Sequence, residues 1–138
     1  MKWRERCADT ECRVPVSFFG QTLTYVLLFK MIEVVEYETE DGKRPFAAWF
    51  TKLNAPAALK VRAAVARLEN GNFSNVKPVG QGVSECKIHF GPGYRIYFAM
   101  DGNVLLVLIG GGTKLRQNND IHRAQRHWSD YKQRKGRT

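Results

Sequence analysis

Lys87, His89, Arg95 and Tyr97 occupy alternate positions in KIHFGPGYRIYF, residues 87–98. Alternate residues of an extended chain share one face. If the two arms fold back across Gly91-Pro92-Gly93 and Phe90 pairs with Tyr94, His89 lies opposite Arg95 and Lys87 opposite Tyr97. A merely solvated face carries both signs of charge, yet this one has only Glu85 as an acid. Arg95 offers a bidentate fork to a phosphate, and Lys87 a point charge. His89 is a proton carrier near neutral pH, and Tyr97 can stack on a base or donate to a phosphate. Lys114, at the end of the next apolar run, adds a further cation. The expected chemistry is phosphate binding with proton transfer.

The elements that must position these groups follow from periodicity. Ile32 to Glu38 is rich in β-branched residues and reads as an edge strand. Phe46, Trp49, Phe50 and Leu53 recur at helical spacing after Pro45. A second helix opens at Pro56, carries Val61, Ala64, Val65 and Leu68 on one stripe, and is capped by Gly71. With almost no linker, the two should form a helical hairpin, with Lys52, Lys60, Arg62 and Arg67 on its solvated outside. A glycine-rich connection ending at Gly82 precedes the alternating strands around residues 85–98. VLLVLIGG, which does not alternate, reads as a central strand buried on both faces. Ile121, Ala124, Trp128 and Tyr131 define a C-terminal helix docked by a narrow stripe, with Arg123 and Arg126 outward. The expected fold is α+β: an N-terminal helical hairpin and a C-terminal helix packed on a small antiparallel sheet.

Composition agrees with one domain. The 138 residues are 43% hydrophobic and 25% charged, which excludes a disordered or collagen-like chain. The net charge of +9 points to an anionic partner, nucleic acid before membrane. Most of it lies at the end, where residues 114–138 hold eight Lys/Arg against two Asp. The last residues, KQRKGRT, read as a basic tail adding non-specific RNA affinity. Cys7, Cys12 and Cys86 form no CxxC pair and no zinc spacing with His89, His122 or His127, so no metal is expected and a reducing, cytoplasmic setting is. The apolar run in residues 1–30 is interrupted by Gln21, Thr22 and Thr24 and is too short and polar for a membrane span. Residues 1–30 are read as a dispensable extension or mis-assigned start, and residues 31–138 as the domain.

GVSECKIHFGPGYRIYFAMDGNVLLVLIGGGTKLRQNNDIHRA resembles the core of the RelE/ParE toxin superfamily, nearest to the HigB-like addiction-module killer proteins. That group reads ELR…GPGYRIYF, an apolar strand, then GGDKSTQ…DI..A. Here Lys87 stands where Arg is usual and Thr113 where the acid is, while Lys114, Gln117, Asp120 and Ile121 are retained. The resemblance spans about residues 31–134. It implies a RelE-like fold and the toxin of a type II toxin–antitoxin module. The activity implied is that of an endoribonuclease cleaving mRNA on the ribosome, without a cofactor. It is silenced by a cognate, HigA-like antitoxin carrying a helix-turn-helix.

Such cleavage uses the 2′-hydroxyl as nucleophile and needs a base, an acid and cations around the phosphorane. Lys87, His89, Arg95 and Lys114 are the expected catalytic set, with Tyr97, Arg116, Gln117 and His122 on the RNA. His122 falls where RelE-like toxins can place a catalytic side chain; otherwise His122 and His127 read as packing or solvent residues. Gly110-Gly111-Gly112 lacks the full phosphate-loop pattern and reads as room for close backbone approach. Because Arg95 and Lys114 are expected to face solvent, alanine at either should remove activity and spare the fold. A ParE-like gyrase inhibitor and a decayed RNA- or protein-binding module are the alternatives.

Overall fold

The computed structural model describes residues 32–137. The extension at residues 1–30, with Cys7 and Cys12, lies outside the described residues. Strand β1 (Glu33–Glu36) leads to helices α1 (Pro45–Phe50) and α2 (Ala55–Glu69). Four strands follow: β2 (Val76–Gly80), β3 (Val83–Ile88), β4 (Tyr94–Asp101) and β5 (Leu105–Thr113). A 3₁₀ turn (Lys114–Arg116) passes into helix α3 (Gln117–Gly136). The architecture is α+β, a five-stranded sheet in the order β1-β5-β4-β3-β2.

The sheet is mixed, which corrects the antiparallel expectation. Strands β2 to β5 form an antiparallel meander, but β1 lies parallel to β5, from Glu33 opposite Leu105 to Glu36 opposite Leu108. No hairpin joins β1 to β5, so no tight turn forces opposite directions. As expected, β1 is an edge strand and β5 lies inside the sheet, its Leu106 to Ile109 fully buried.

Local chemistry accounts for the helix ends. The Asn54 side chain accepts the Ala57 N–H at 2.9 Å, and Pro56 fills the first turn of α2, where a missing N–H is harmless. Gly71 takes a φ of +81°, and its N–H donates to the Leu68 carbonyl at 3.0 Å. The stretch before Gly82, expected as a connection, forms strand β2. Pro78 is tolerated there because β2 is an edge.

Two cores flank the sheet. On one side Phe46, Phe50, Val61, Val65 and Leu68 of α1 and α2 pack on Cys86, Ile88, Ile96 and Phe98. On the other, Ala124 and Trp128 of α3 pack on Val83, Tyr97, Ala99, Val107 and Ile109. Ile121 and Tyr131 extend this stripe, and the helix is also pinned by side-chain bonds. Tyr131 donates to Asp101 at 2.8 Å, Gln125 to the Val79 carbonyl at 2.9 Å, and Tyr37 to Asp130 at 2.7 Å.

Candidate functional site

Helix α3 changes the environment of the hairpin. It covers the sheet face on which Glu85, Arg95 and Tyr97 lie, and these are only 1%, 4% and 1% exposed. The solvated face expected from alternation is therefore a buried one. Register differs too: Ile88, not Phe90, pairs with Tyr94, so Lys87 faces Arg95 and Glu85 faces Tyr97. A two-residue slip keeps every side chain on its face while exchanging its cross-strand neighbour.

The consequence is a polar knot under the first turn of α3. Arg95 Nε lies 3.4 Å from Glu85 Oε1, and Nη1 of Arg95 donates to the Gly93 carbonyl at 3.4 Å. Gln117 Nε2 donates to Glu85 Oε2 at 2.8 Å. The Tyr97 hydroxyl is buried without a hydrogen bond of normal geometry. Burial first, then the neighbouring Glu85 and Asp120 carboxylates, push its ionisation well above the usual phenol range.

These contacts correct the solvent-facing placement expected of Arg95 and Tyr97. Arg95 is an internal counter-ion to Glu85, and Tyr97 is enclosed beside them. Gln117, partly exposed, donates to Glu85. A carboxylate and a guanidinium that share a covered face must neutralise one another.

The other expected site residues stay accessible. His89 is exposed in the hairpin loop rather than on the strand face, and Lys87 is half-buried on β3. Lys114 and Arg116 are exposed in the 3₁₀ turn, and the Lys114 N–H donates to the Gly93 carbonyl at 3.0 Å. The backbone at Lys114 is thus fastened to the hairpin tip. His122 is exposed on α3.

The glycine run creates a second feature. A Cβ on Gly111 would fall inside the Trp49 indole, and one on Gly112 would strike the Asp120 carboxyl. The backbone of β5 is bare so that α1 and α3 can approach it, as the sequence suggested. Gly110 differs, because a Cβ there meets nothing within 4 Å. It pairs with Tyr97 and so shares the α3 face. The β1 ladder stops at Leu108, and among the described residues no strand continues it beside Gly110–Gly112.

A cleft of about 480 Å³ occupies that place, between α1 and α3 and above the glycine floor. Trp49 and Lys52 line one wall and Arg116, Asp120, Arg123 and His127 the other. Burial raises the Asp120 carboxyl above the ordinary aspartate range, opposed by Arg123 and Arg116; Arg123 Nη1 is 3.6 Å from Asp120 Oδ1. Burial, then Arg123 and Arg126, lowers the His127 imidazole. Cations thus border a cleft lined by two titratable side chains, Asp120 and His127. Sequence reading placed Trp49 in the core and Lys52 and Arg123 on solvated faces. Three glycines inside an otherwise apolar strand were the signal for the cleft.

The His127 shift gives a pH prediction. The folded chain prefers the neutral imidazole, whereas the unfolded chain protonates near 6.5. Stability should therefore be lost as pH falls from about 6.5 toward the lowered folded value. His127→Phe keeps a ring against Tyr37, whose centroid is 4.8 Å away, and should remove that component of the slope. Parallel wild-type and variant melting curves over this window would contradict the assignment.

Among the described residues, no group of three or more His, Cys, Asp or Glu side chains is placed to hold a metal ion, and no helix is long and apolar enough to cross a membrane. The fold and cleft define a basic α+β protein with a cation-rimmed site beside its C-terminal helix. No family model matches the chain. An uncharacterized protein of Haemophilus influenzae (strain ATCC 51907 / DSM 11121 / KW20 / Rd) is 41% identical to it over 81 residues, covering 58% of this chain and 82% of that protein. The chain belongs to the family of that protein.

Proposed function

We propose that the protein is the toxin of a type II toxin–antitoxin module, a HigB-like endoribonuclease of RelE-like fold that cuts mRNA in the cytoplasm. The GPGYRIYF hairpin and the GG.K..Q…DI..A pattern support this reading, as does the order of a strand, two helices, a meander and a C-terminal helix. The observation that carries it is the cationic rim of Lys52, Arg116 and Arg123 around a cleft holding Asp120 and His127. In this reading the RNA 2′-hydroxyl attacks the adjacent 3′-phosphate, and the P–O bond to the 5′-oxygen of the next nucleotide breaks, leaving a 2′,3′-cyclic phosphate and a 5′-hydroxyl. Lys114 and Arg116 stabilise the charge that develops, His127, lowered by burial, takes the hydroxyl proton, and Asp120, raised by burial, serves the departing oxygen. Lys87 and His89 at the hairpin contact the flanking strand. A helix-turn-helix antitoxin holds the toxin inactive.

Expression of the full chain should arrest growth and leave translated messages with new 5′ ends. Lys114→Ala with Arg116→Ala should lower cleavage by about 10²-fold or more, with melting behaviour unchanged because both side chains are exposed. Intact messages in arrested cells, with supercoiling by gyrase blocked, would favour a ParE-like poison instead. An inert chain would overturn the toxin reading altogether.

A further inference from the structure

We propose that Tyr37 is a positioning residue for the cleft: its ring holds the His127 imidazole at the cleft wall, and Asp130 holds that ring by accepting from its hydroxyl. The consequence for cleavage rests on the toxin reading; the geometry of this clasp does not.

Three observations carry it. The first is place. Tyr37 directly follows β1, and its N–H donates to the Leu108 carbonyl at 2.8 Å. It is thus fastened to β5 where the β1 ladder stops and the cleft begins, and its side chain is buried under α3. The second is contact. The imidazole of His127, which lines the cleft, packs on the Tyr37 ring with centroids 4.8 Å apart and planes at 33°. The terminal torsion of a histidine is broad, so a packed neighbour decides where its nitrogens point. The third is the anchor. The Tyr37 hydroxyl donates to Asp130 Oδ2 at 2.7 Å. Arg134 Nη2 pairs with the same oxygen at 2.7 Å and also donates to the Glu38 carbonyl, and its guanidinium lies 5.3 Å from the Tyr37 centroid. His127, Asp130 and Arg134 follow one another at i, i+3 and i+7 of α3, so one helix face grips one ring.

Packing alone would be served as well by phenylalanine; the hydroxyl is what ties the ring to α3. Burial, then the Asp130 bond, pushes the Tyr37 phenol up to about 12, so it stays a donor. The charged and titratable groups around His127 are Arg123, Arg126 and Asp130 on its own helix, Tyr37 beside β1, and Lys52, Arg116 and Asp120 about the cleft. Burial favours the neutral imidazole most, the two arginines add to it, and Asp130 opposes them. Removing the Tyr37 ring admits water to the imidazole and should return its pKa toward the ordinary value.

The test follows the histidine ring signals of the full chain by NMR across pH, with His127→Phe assigning the His127 signals, and in parallel the cleavage of a translated message. Tyr37→Phe should displace the imidazole signals and lower kcat by about threefold with KM unchanged, because the ring remains but its tie to α3 is gone. Tyr37→Leu should lower kcat by about tenfold or more, raise the His127 pKa, and move the acid limb of the pH–rate profile up with it. Tyr131→Phe is the control: it removes an equivalent bond, to Asp101 at 2.8 Å, from the same helix and should leave the His127 signals and kcat as they are. Wild-type imidazole signals in Tyr37→Phe, which keeps the packing and the fold, would overturn the proposal. An equal displacement in Tyr131→Phe would overturn it too, since the effect would then be a general loosening of α3. A chain that cuts messages while its His127 signals ignore Tyr37 loses the clasp and keeps the toxin reading. One that cuts nothing, yet whose imidazole moves when the Tyr37 hydroxyl is removed, keeps the clasp and loses the toxin reading.

Discussion

Glu85→Ala should destabilise the fold by about 3–5 kcal/mol, the typical consequence of stranding one member of a buried ion pair. Its partner Arg95 is 5% exposed in its side chain and would keep its charge, bonded at 3.4 Å to the Gly93 carbonyl. Gln117 would lose its acceptor at the same time. Arg95→Ala should be comparably damaging, since it strands a carboxylate that is 1% exposed. Replacing both residues together by Leu and Met should recover most of the loss, because apolar pairs of similar volume fill such sites without desolvating charge. Denaturant unfolding of the two single variants and the double variant forms the cycle that checks this. Single variants within about 0.5 kcal/mol of wild type would mean that the pair is solvated. Loss of toxicity on Arg95→Ala alone therefore says nothing about catalysis, contrary to what an outward-facing strand position implies.

The second large effect is expected in the glycine run. Gly111→Ala should lower stability by about 1–3 kcal/mol or more, the usual range for overpacking a filled site. The added carbon would enter the Trp49 ring, which is itself held by Phe46 at 5.7 Å and Tyr94 at 6.4 Å between ring centroids. The indole cannot retreat without disturbing both. Gly110→Ala, one residue earlier, should stay within about 0.5 kcal/mol of wild type. Three consecutive glycines of identical local propensity thus separate by what lies above them. Denaturation midpoints for the two variants decide it, and equal values would show that Trp49 does not rest on the strand.

Charge gives a related contrast. The basic residues in and just before α3 look alike in sequence, yet Arg134 is paired with Asp130 at 2.7 Å and Lys135 with Asp101 at 2.6 Å, while Arg116 and Arg123, the latter 3.6 Å from Asp120, border the cleft. Exposed pairs of this kind contribute about 0–1 kcal/mol each. Their effect here is to fix the far end of α3.

Features that depend on near neighbours were legible along the chain. Period-two and helical spacing located β1, β3, β4, β5 and α3 and the apolar stripes of α1 and α2, and Gly71 marked the end of α2, because rise per residue and φ restrictions act within a few residues. The same spacing also established that Glu85, Lys87, Arg95 and Tyr97 share a face. Whether that face meets water or a helix depends on long-range packing. Alternation records which side chains are together, not what covers them, and the narrow stripe of Ala124 and Trp128 does not say which surface it will choose. Register and strand direction were likewise long-range outcomes: a two-residue slip leaves the pattern unchanged but brings Glu85 opposite Tyr97, and no turn dictates the sense of β1. The cleft lay deepest, because α1, β5 and α3 are distant in sequence and meet only where bare backbone allows Trp49 and Asp120 to come close.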